Sequence, residues 1–307
     1  MRDVRGYLMI MVAAMFWGCS ATVAKILLDQ QVETILIVQT RVFFSALVLL
    51  LFYLFFKPHI LRVKARDLWR FALLGVVGVA GSNVTYYFTI KQSTVATAII
   101  LQYTAPLFVM GYTTLAGEER FTALKLVAAL VSLLGCFLAV GAYDTTVLKL
   151  NGPGLASGVG SMVSFAFLNI YSRHVLQRYN VWTTTFYAIS AASLFWLIVN
   201  PPWKIVAQSA SAHAWIGLVV LAVISILVPH SMYFAGMQYV AASRAVITST
   251  LEPVIAIASA AVFLSEVLHP VQIIGAVMVV SAIFLLQVKR EEERITFPVA
   301  AMDSDAP

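Results

Sequence analysis

Long apolar runs alternate with short polar breaks along almost the whole chain. A helix that crosses a bilayer needs about 20 mostly apolar residues. Ten runs meet that need, at roughly 6–28, 33–56, 68–90, 93–115, 122–142, 153–175, 182–200, 213–236, 242–264 and 270–288. The breaks carry turn and charge signals: Lys57-Pro58-His59, Gly117-Glu118-Glu119-Arg120, Asn151-Gly152-Pro153, Asn200-Pro201-Pro202 and His269-Pro270. The seventh run is the weakest, because it is short and opens on Thr183-Thr184-Thr185. Lipid offers no hydrogen bonds to the backbone, so uninterrupted runs of this length must be helical. The short alternating segments of a membrane barrel are absent. The pattern predicts an all-α membrane protein with ten transmembrane helices.

The chain also repeats itself. Tyr86-Tyr87-Phe88 through Ala105-Pro106 aligns without a gap on Tyr233-Phe234-Ala235 through Glu252-Pro253, at an offset of 147. The same offset carries Glu119 onto Glu266. An offset of 148 carries Gly6 to Lys25 onto Gly154 to Arg173. Each half then holds five spans, an odd number, so the second half enters the membrane upside down. Two inverted five-helix repeats are expected, over 1–148 and 149–290, followed by a polar tail at 291–307 that reads as a disordered cytoplasmic end.

Composition sharpens the picture. Hydrophobic residues make up 61% of the chain and charged residues 11%, with mean hydropathy +0.90. Soluble domains carry about 25% charged residues, so the solvent of this chain is lipid. The net charge of +6 is spread over short loops and sets topology, with no nucleic-acid partner implied. With the N-terminus inside, fifteen Lys and Arg fall on the cytoplasmic side. Only Lys25, Lys91, Lys149 and Lys204 fall outside. Both termini are therefore expected in the cytoplasm of a multi-pass cell-membrane protein. The first run is longer than a signal-peptide core and reads as a retained helix. Cys19 and Cys136 both sit in apolar runs and read as buried thiols. No GxxxxGK[ST] phosphate loop, HExxH or metal-ligating spacing occurs. No cofactor and no enzymatic activity are expected.

At a handful of residues the chain resembles the EamA family of the drug/metabolite transporter superfamily. The matching pieces are Trp17-Gly18 with Lys25, then Arg41, then Pro106 followed by Gly117-Glu118-Glu119. In the second half they are Leu251-Glu252-Pro253, Leu264-Ser265-Glu266 and Gly275. Leu264-Ser265 stands where the family often has a glycine before the acid, and Phe165-Ala166 replaces the second Trp-Gly. The resemblance implies a secondary active transporter with a central cavity lined by helices 1, 3, 4, 6, 8 and 9. It implies export of amino acids or related small metabolites by alternating access. Drug efflux and metabolite or sugar uptake are the alternatives within the same fold. A non-transporting scaffold or an intramembrane enzyme is the alternative of another class, and no catalytic pair stands at helical spacing to support the enzyme.

Candidate pathway residues follow from the cost of polar groups in lipid. An ionisable side chain at a helix centre costs about 2.5–3.5 kcal/mol to insert. Glu252 lies about 13 Å into helix 9 at the helical rise. Pro253 removes a backbone donor beside it and leaves a carbonyl free. The pair is read as lining the cavity and binding a substrate or a coupling proton, or as a packing kink. Arg41 pairs with Glu252 or a substrate carboxylate, or else anchors helix 2, which the resemblance places outside the cavity wall. Lys25 is read as an outer-gate residue or as a snorkelling cation. Asn83, Gln102, Asn169 and Thr248 contact substrate or make interhelical hydrogen bonds. The resemblance puts Trp17, Tyr87 and Tyr103 on cavity helices, where Tyr87 and Tyr103 suit a substrate with an apolar body and a polar tip. Gly75, Gly78 and Gly81, the pair Gly154 and Gly158, and Ala128 with Ser132 mark close helix contacts.

Overall fold

The computed structural model of the chain describes residues 2–30, 32–144, 146–148, 151–201, 203 and 212–288. The tail at 291–307, Lys149 and Lys204 lie outside the described residues. Ten apolar helices carry the described fold: α1 Asp3–Asp29, α2 Thr34–Phe56, α3 Ala65–Gln92, α4 Val95–Leu115, α5 Ala123–Ala139, α6 Gly152–Leu176, α7 Val181–Val199, α8 His213–Met237, α9 Ala242–Phe263 and α10 Pro270–Gln287. Nine are long and apolar enough to cross a membrane, and α5 is shorter at 17 residues. The seventh run is a full 19-residue helix. Its polar opening is tolerated because Thr183, Thr184 and Thr185 are buried against protein. Thr183 Oγ1 donates to the Ile60 carbonyl at 2.9 Å.

Local chemistry sets the helix ends. Thr94, Thr122, Asn151 and Asn180 stand in extended conformation and accept the backbone N–H three residues on, capping α4, α5, α6 and α7. Gly117 ends α4 in the left-handed conformation, φ 71°, which costs glycine nothing. In the second repeat the left-handed residue is Ser265, φ 57°, directly before Glu266. A side chain there pays a steric penalty that glycine avoids.

The helix contacts show the repeat. α1 packs on α8 and α9, and α6 packs on α3 and α4. α2 meets α7, and α5 meets α10. α3 meets α7, and α2 meets α8. Exchanging the two sets of five helices maps these pairings onto themselves. Large apolar side chains such as Phe55, Phe56, Leu115, Ile198 and Phe263 face outward, as a lipid solvent requires. Cys136 is buried as expected, but Cys19 lies on the outer surface of α1 and is exposed.

Two pairs of irregularities recur at equivalent positions. α3 widens into π-helix over Leu74–Ala80, and α8 does so over Val223–Leu227. The offset of 147 maps Val76–Ala80 onto Val223–Leu227. α4 breaks between Gln102 and Ala105, and α9 breaks between Thr248 and Leu251. Pro106 and Pro253 follow the breaks, as expected of residues that lack a backbone donor.

Gly135 and Gly275 bring the backbones of α5 and α10 together. A Cβ at Gly275 would lie 2.5 Å from both the Ala139 nitrogen and the Gly135 oxygen. Backbone cannot yield as a side chain does, so Gly275→Val should separate the two helices. Overpacking typically costs about 1–3 kcal/mol. A lowered unfolding midpoint of the purified protein in detergent checks this, and an unchanged midpoint refutes it.

Candidate functional site

Six helices deliver polar side chains to one place at mid-depth. Glu252 stands just past the break in α9. Its Oε2 accepts the Tyr103 hydroxyl, from the matching break in α4, at 2.6 Å. Pro253 cannot donate to the Ser249 carbonyl. That carbonyl is not left open, because it accepts Glu252 N–H at 3.0 Å and is approached by the Tyr103 hydroxyl at 3.3 Å. The freed acceptor expected beside Pro253 thus serves to hold the break.

Arg41 reaches this centre from α2, the helix that the family resemblance left outside the wall. It is buried, donates to Asn83 Oδ1 on α3, and lies 5.1 Å from the Tyr87 ring centroid. Its Nε is buried without a hydrogen-bond partner. The guanidinium acts electrostatically on Glu252, Tyr86 and His230. Among the described residues, no carboxylate lies within ion-pair distance of it. A cation and a carboxylate therefore share the centre without touching.

Trp17 closes one side from α1. Its ring lies 5.4 Å from His230 and 5.2 Å from Tyr233, both on α8. Its indole N–H donates to the Ser225 carbonyl at 3.0 Å. Ser225 is four residues before Pro229, so this is the carbonyl that the proline cannot serve. Gly18 makes the approach possible: a Cβ there would lie 2.7 Å from the Glu252 carbonyl and 2.6 Å from Ile255 Cβ. Gly18 thus lets α1 run against the backbone of Glu252.

The structure brings together Trp17, Arg41, Asn83, Tyr87, Tyr103 and Glu252. It leaves four expected residues in other contacts. Gln102 accepts the Ser161 hydroxyl on α6 at 2.7 Å. Asn169 is buried, donating to the Phe165 carbonyl and accepting the Tyr233 hydroxyl. Thr248 donates to the Arg244 carbonyl of its own helix. Lys25 pairs with Glu266 at one end of the bundle. Sequence reading passed over Tyr86 and His230 as site residues. The repeat held the signal, since the offset of 147 carries Asn83 onto His230 and Tyr86 onto Tyr233.

Ion pairs occupy both ends of the bundle. Glu119, after α4, binds Arg173 of α6 at 3.4 Å and Lys125 of α5 at 3.3 Å, and it accepts both the N–H and the hydroxyl of Ser243. Glu266, after α9, binds Lys25 of α1. Lys25 and Arg173 are repeat equivalents, as are Glu119 and Glu266. Each acid therefore binds the base of the other repeat. The two pairs differ in burial. The Glu119 and Arg173 side chains are 3% and 11% exposed, against 47% and 51% for Glu266 and Lys25. Packing is unequal in the same sense. Ala242 to Thr248, the first segment of α9 at the Glu119 end, is wholly buried. Its counterpart, Val95–Gln102 at the other end, buries only Ala96, Thr97 and Ala98.

A lipid-solvated bundle of two exchangeable five-helix units, with a charged centre between them, defines a carrier-type membrane protein. The chain belongs to the EamA-like transporter family, which matches it over residues 4–141 and 152–288. It is 27% identical to YicL, an uncharacterized inner membrane transporter of Salmonella typhimurium, over 81% of this chain and 84% of that protein. It is 27% identical to the threonine/homoserine exporter RhtA of Escherichia coli K12, over 78% of each. A crystal structure with 17% identity superposes with a TM-score of 0.78, covering 92% of this chain and 96% of the other, a likeness of fold. The relatives are transporters, so the chain is a multi-pass membrane protein of a transporter family that takes small-molecule substrates.

Proposed function

We propose that the protein is a secondary active exporter of zwitterionic amino acids. The carrying observation is the pair of unneutralised charges at the centre. Arg41 keeps a buried donor without a partner, and Tyr103 is the only side chain bonded to Glu252 among the described residues. Holding opposite charges apart in a low-dielectric interior is costly. A molecule carrying a carboxylate and an ammonium group relieves both, with the carboxylate on Arg41 and the ammonium on Glu252. Trp17, Tyr86 and Tyr87 would meet its side chain. RhtA is an exporter of threonine and homoserine, which agrees with that class.

Alternating access supplies the cycle. The buried Glu119 pair closes one end while the Lys25–Glu266 pair stands exposed at the other. Exchange of the roles of the two repeats would bury the second pair and open the first. With both termini in the cytoplasm, as loop charge requires, the closed end faces inward. Glu252 is the residue on which a coupling proton would ride when the amino acid leaves.

Counterflow in proteoliposomes tests this reading. Liposomes preloaded with threonine, homoserine or other neutral amino acids should accumulate labelled substrate. Glu252→Gln should lose most of that flux while its level in the membrane is kept. It should lose less for a carboxylic acid that lacks the amino group. Absence of counterflow across the whole panel would sink the proposal. Flux unchanged by Glu252→Gln would remove the carboxylate from it.

A further inference from the structure

We infer that the face of the protein carrying Glu119 holds a site for the phosphate headgroup of an anionic phospholipid, built by the α2–α3 and α6–α7 loops. An open recess of about 560 Å³ is lined by Arg62, Val63, Lys64, Arg66, Asp67, Arg178 and Tyr179. That size lies within the range of small-molecule sites. Four cations face it against one carboxylate. The carboxylate is already engaged: Asp67 is buried, its Oδ1 accepts Arg70 Nε at 3.0 Å, and its Oδ2 accepts the Tyr179 hydroxyl at 2.7 Å. Arg62, Lys64, Arg66 and Arg178 are all exposed, and among the described residues none lies within ion-pair distance of a carboxylate.

The recess is held rigidly. Tyr179 ties the first-repeat loop to the second-repeat loop through Asp67. Thr183 and Tyr187 of α7 donate to the Ile60 and Leu61 carbonyls, at 2.9 and 2.8 Å. Phe71 packs beneath, 5.0 Å from the rings of both Tyr179 and Tyr187. The cations are thereby presented from a fixed frame that joins the two repeats.

The surroundings name the source of the phosphate. Trp69 is 55% exposed beside the recess, with Arg70 4.8 Å from its ring centroid. Leu68 and the end of α2, Phe55 and Phe56, are also exposed. An indole and a guanidinium at the end of an apolar helix mark headgroup depth. A phosphate in the recess would have its acyl chains beside these apolar side chains. Basic recesses at this depth suit anionic headgroups. A bound headgroup would bridge the loops of the two repeats at the closed end.

Native mass spectrometry of the full-length protein tests the inference. The protein in detergent is mixed with equal amounts of phosphatidylglycerol and phosphatidylcholine. Retention of one phosphatidylglycerol in preference to phosphatidylcholine is expected. Arg66→Gln with Arg178→Gln should reduce that retention by about thirtyfold, given the contribution of each basic residue near a lipid surface. Arg5→Gln with Arg120→Gln, which removes the same charge elsewhere on this face, should retain as the wild type does. If the double variant fails to fold, Arg178→Gln alone carries the comparison. Equal retention by wild type and recess variant, or equal retention of both lipids, would overturn the site. Complete displacement by millimolar inorganic phosphate would overturn the lipid assignment in favour of a soluble phosphate.

Discussion

Arg41→Gln is expected to lower transport of the intact amino acid by at least about tenfold, because truncating one side of a desolvated charge contact costs roughly 2 kcal/mol or more. The variant keeps a polar side chain of smaller reach near Asn83 and removes the buried cation that shares the centre with Glu252. The effect should depend on substrate chemistry. An amine that lacks the carboxylate has nothing to lose at Arg41, so its flux should be changed far less. Arg41→Lys should fall between, since it restores the charge without the planar fork that binds a carboxylate in two places. Equal loss for the amino acid and for its decarboxylated amine would show that Arg41 only holds helices together. Proteoliposome flux with both substrates, at matched protein level, decides between the two.

Removal of Glu119 should have the largest effect on stability. Its carboxylate binds Arg173, Lys125 and Ser243, and it is 3% exposed. Glu119→Ala leaves two buried cations without that carboxylate. Breaking a buried pair from one side costs about 3–5 kcal/mol, against a total stability of about 5–15 kcal/mol for a typical protein. The repeat-equivalent Glu266→Ala touches an exposed pair, which is worth about 0–1 kcal/mol. The unfolding midpoint in detergent should fall sharply for the first variant and barely for the second. The milder Glu119→Gln should also loosen the closed end. Val246 is fully buried in the first segment of α9. A Val246→Cys probe, in a background lacking Cys19 and Cys136, should react with a membrane-impermeant maleimide faster when Glu119→Gln is present. Equal midpoints for the two alanine variants would remove the asymmetry on which the closed end rests.

Much of the site was legible because a bilayer makes polar residues conspicuous. Glu252, Arg41, Asn83 and Tyr103 stand out in apolar runs, and the structure gathers all four. Asn169 and Thr248 stand out equally, yet they are spent on local hydrogen bonds. A sequence marks a side chain as polar but does not say toward which neighbour its helix turns it. The family resemblance placed α2 outside the cavity wall, but its buried stripe of Arg41, Val42, Ser45 and Leu49 turns inward. The π-helical stretches were not legible either. Val223–Leu227 contains no glycine and no proline, and the widening shows only in the backbone.

By itself, the sequence determined the solvent, the number of helices and the repeat. Run length against bilayer thickness decides whether a segment spans, and an odd number of spans per half decides inversion. Tertiary structure alone decided which polar residues meet, which end is packed more tightly, and that Arg41 and Glu252 stay apart. Those outcomes depend on how each helix is rotated and how closely neighbours approach. A hydrophobic pattern leaves both open in a membrane, because lipid tails are as apolar as the helix faces they would replace.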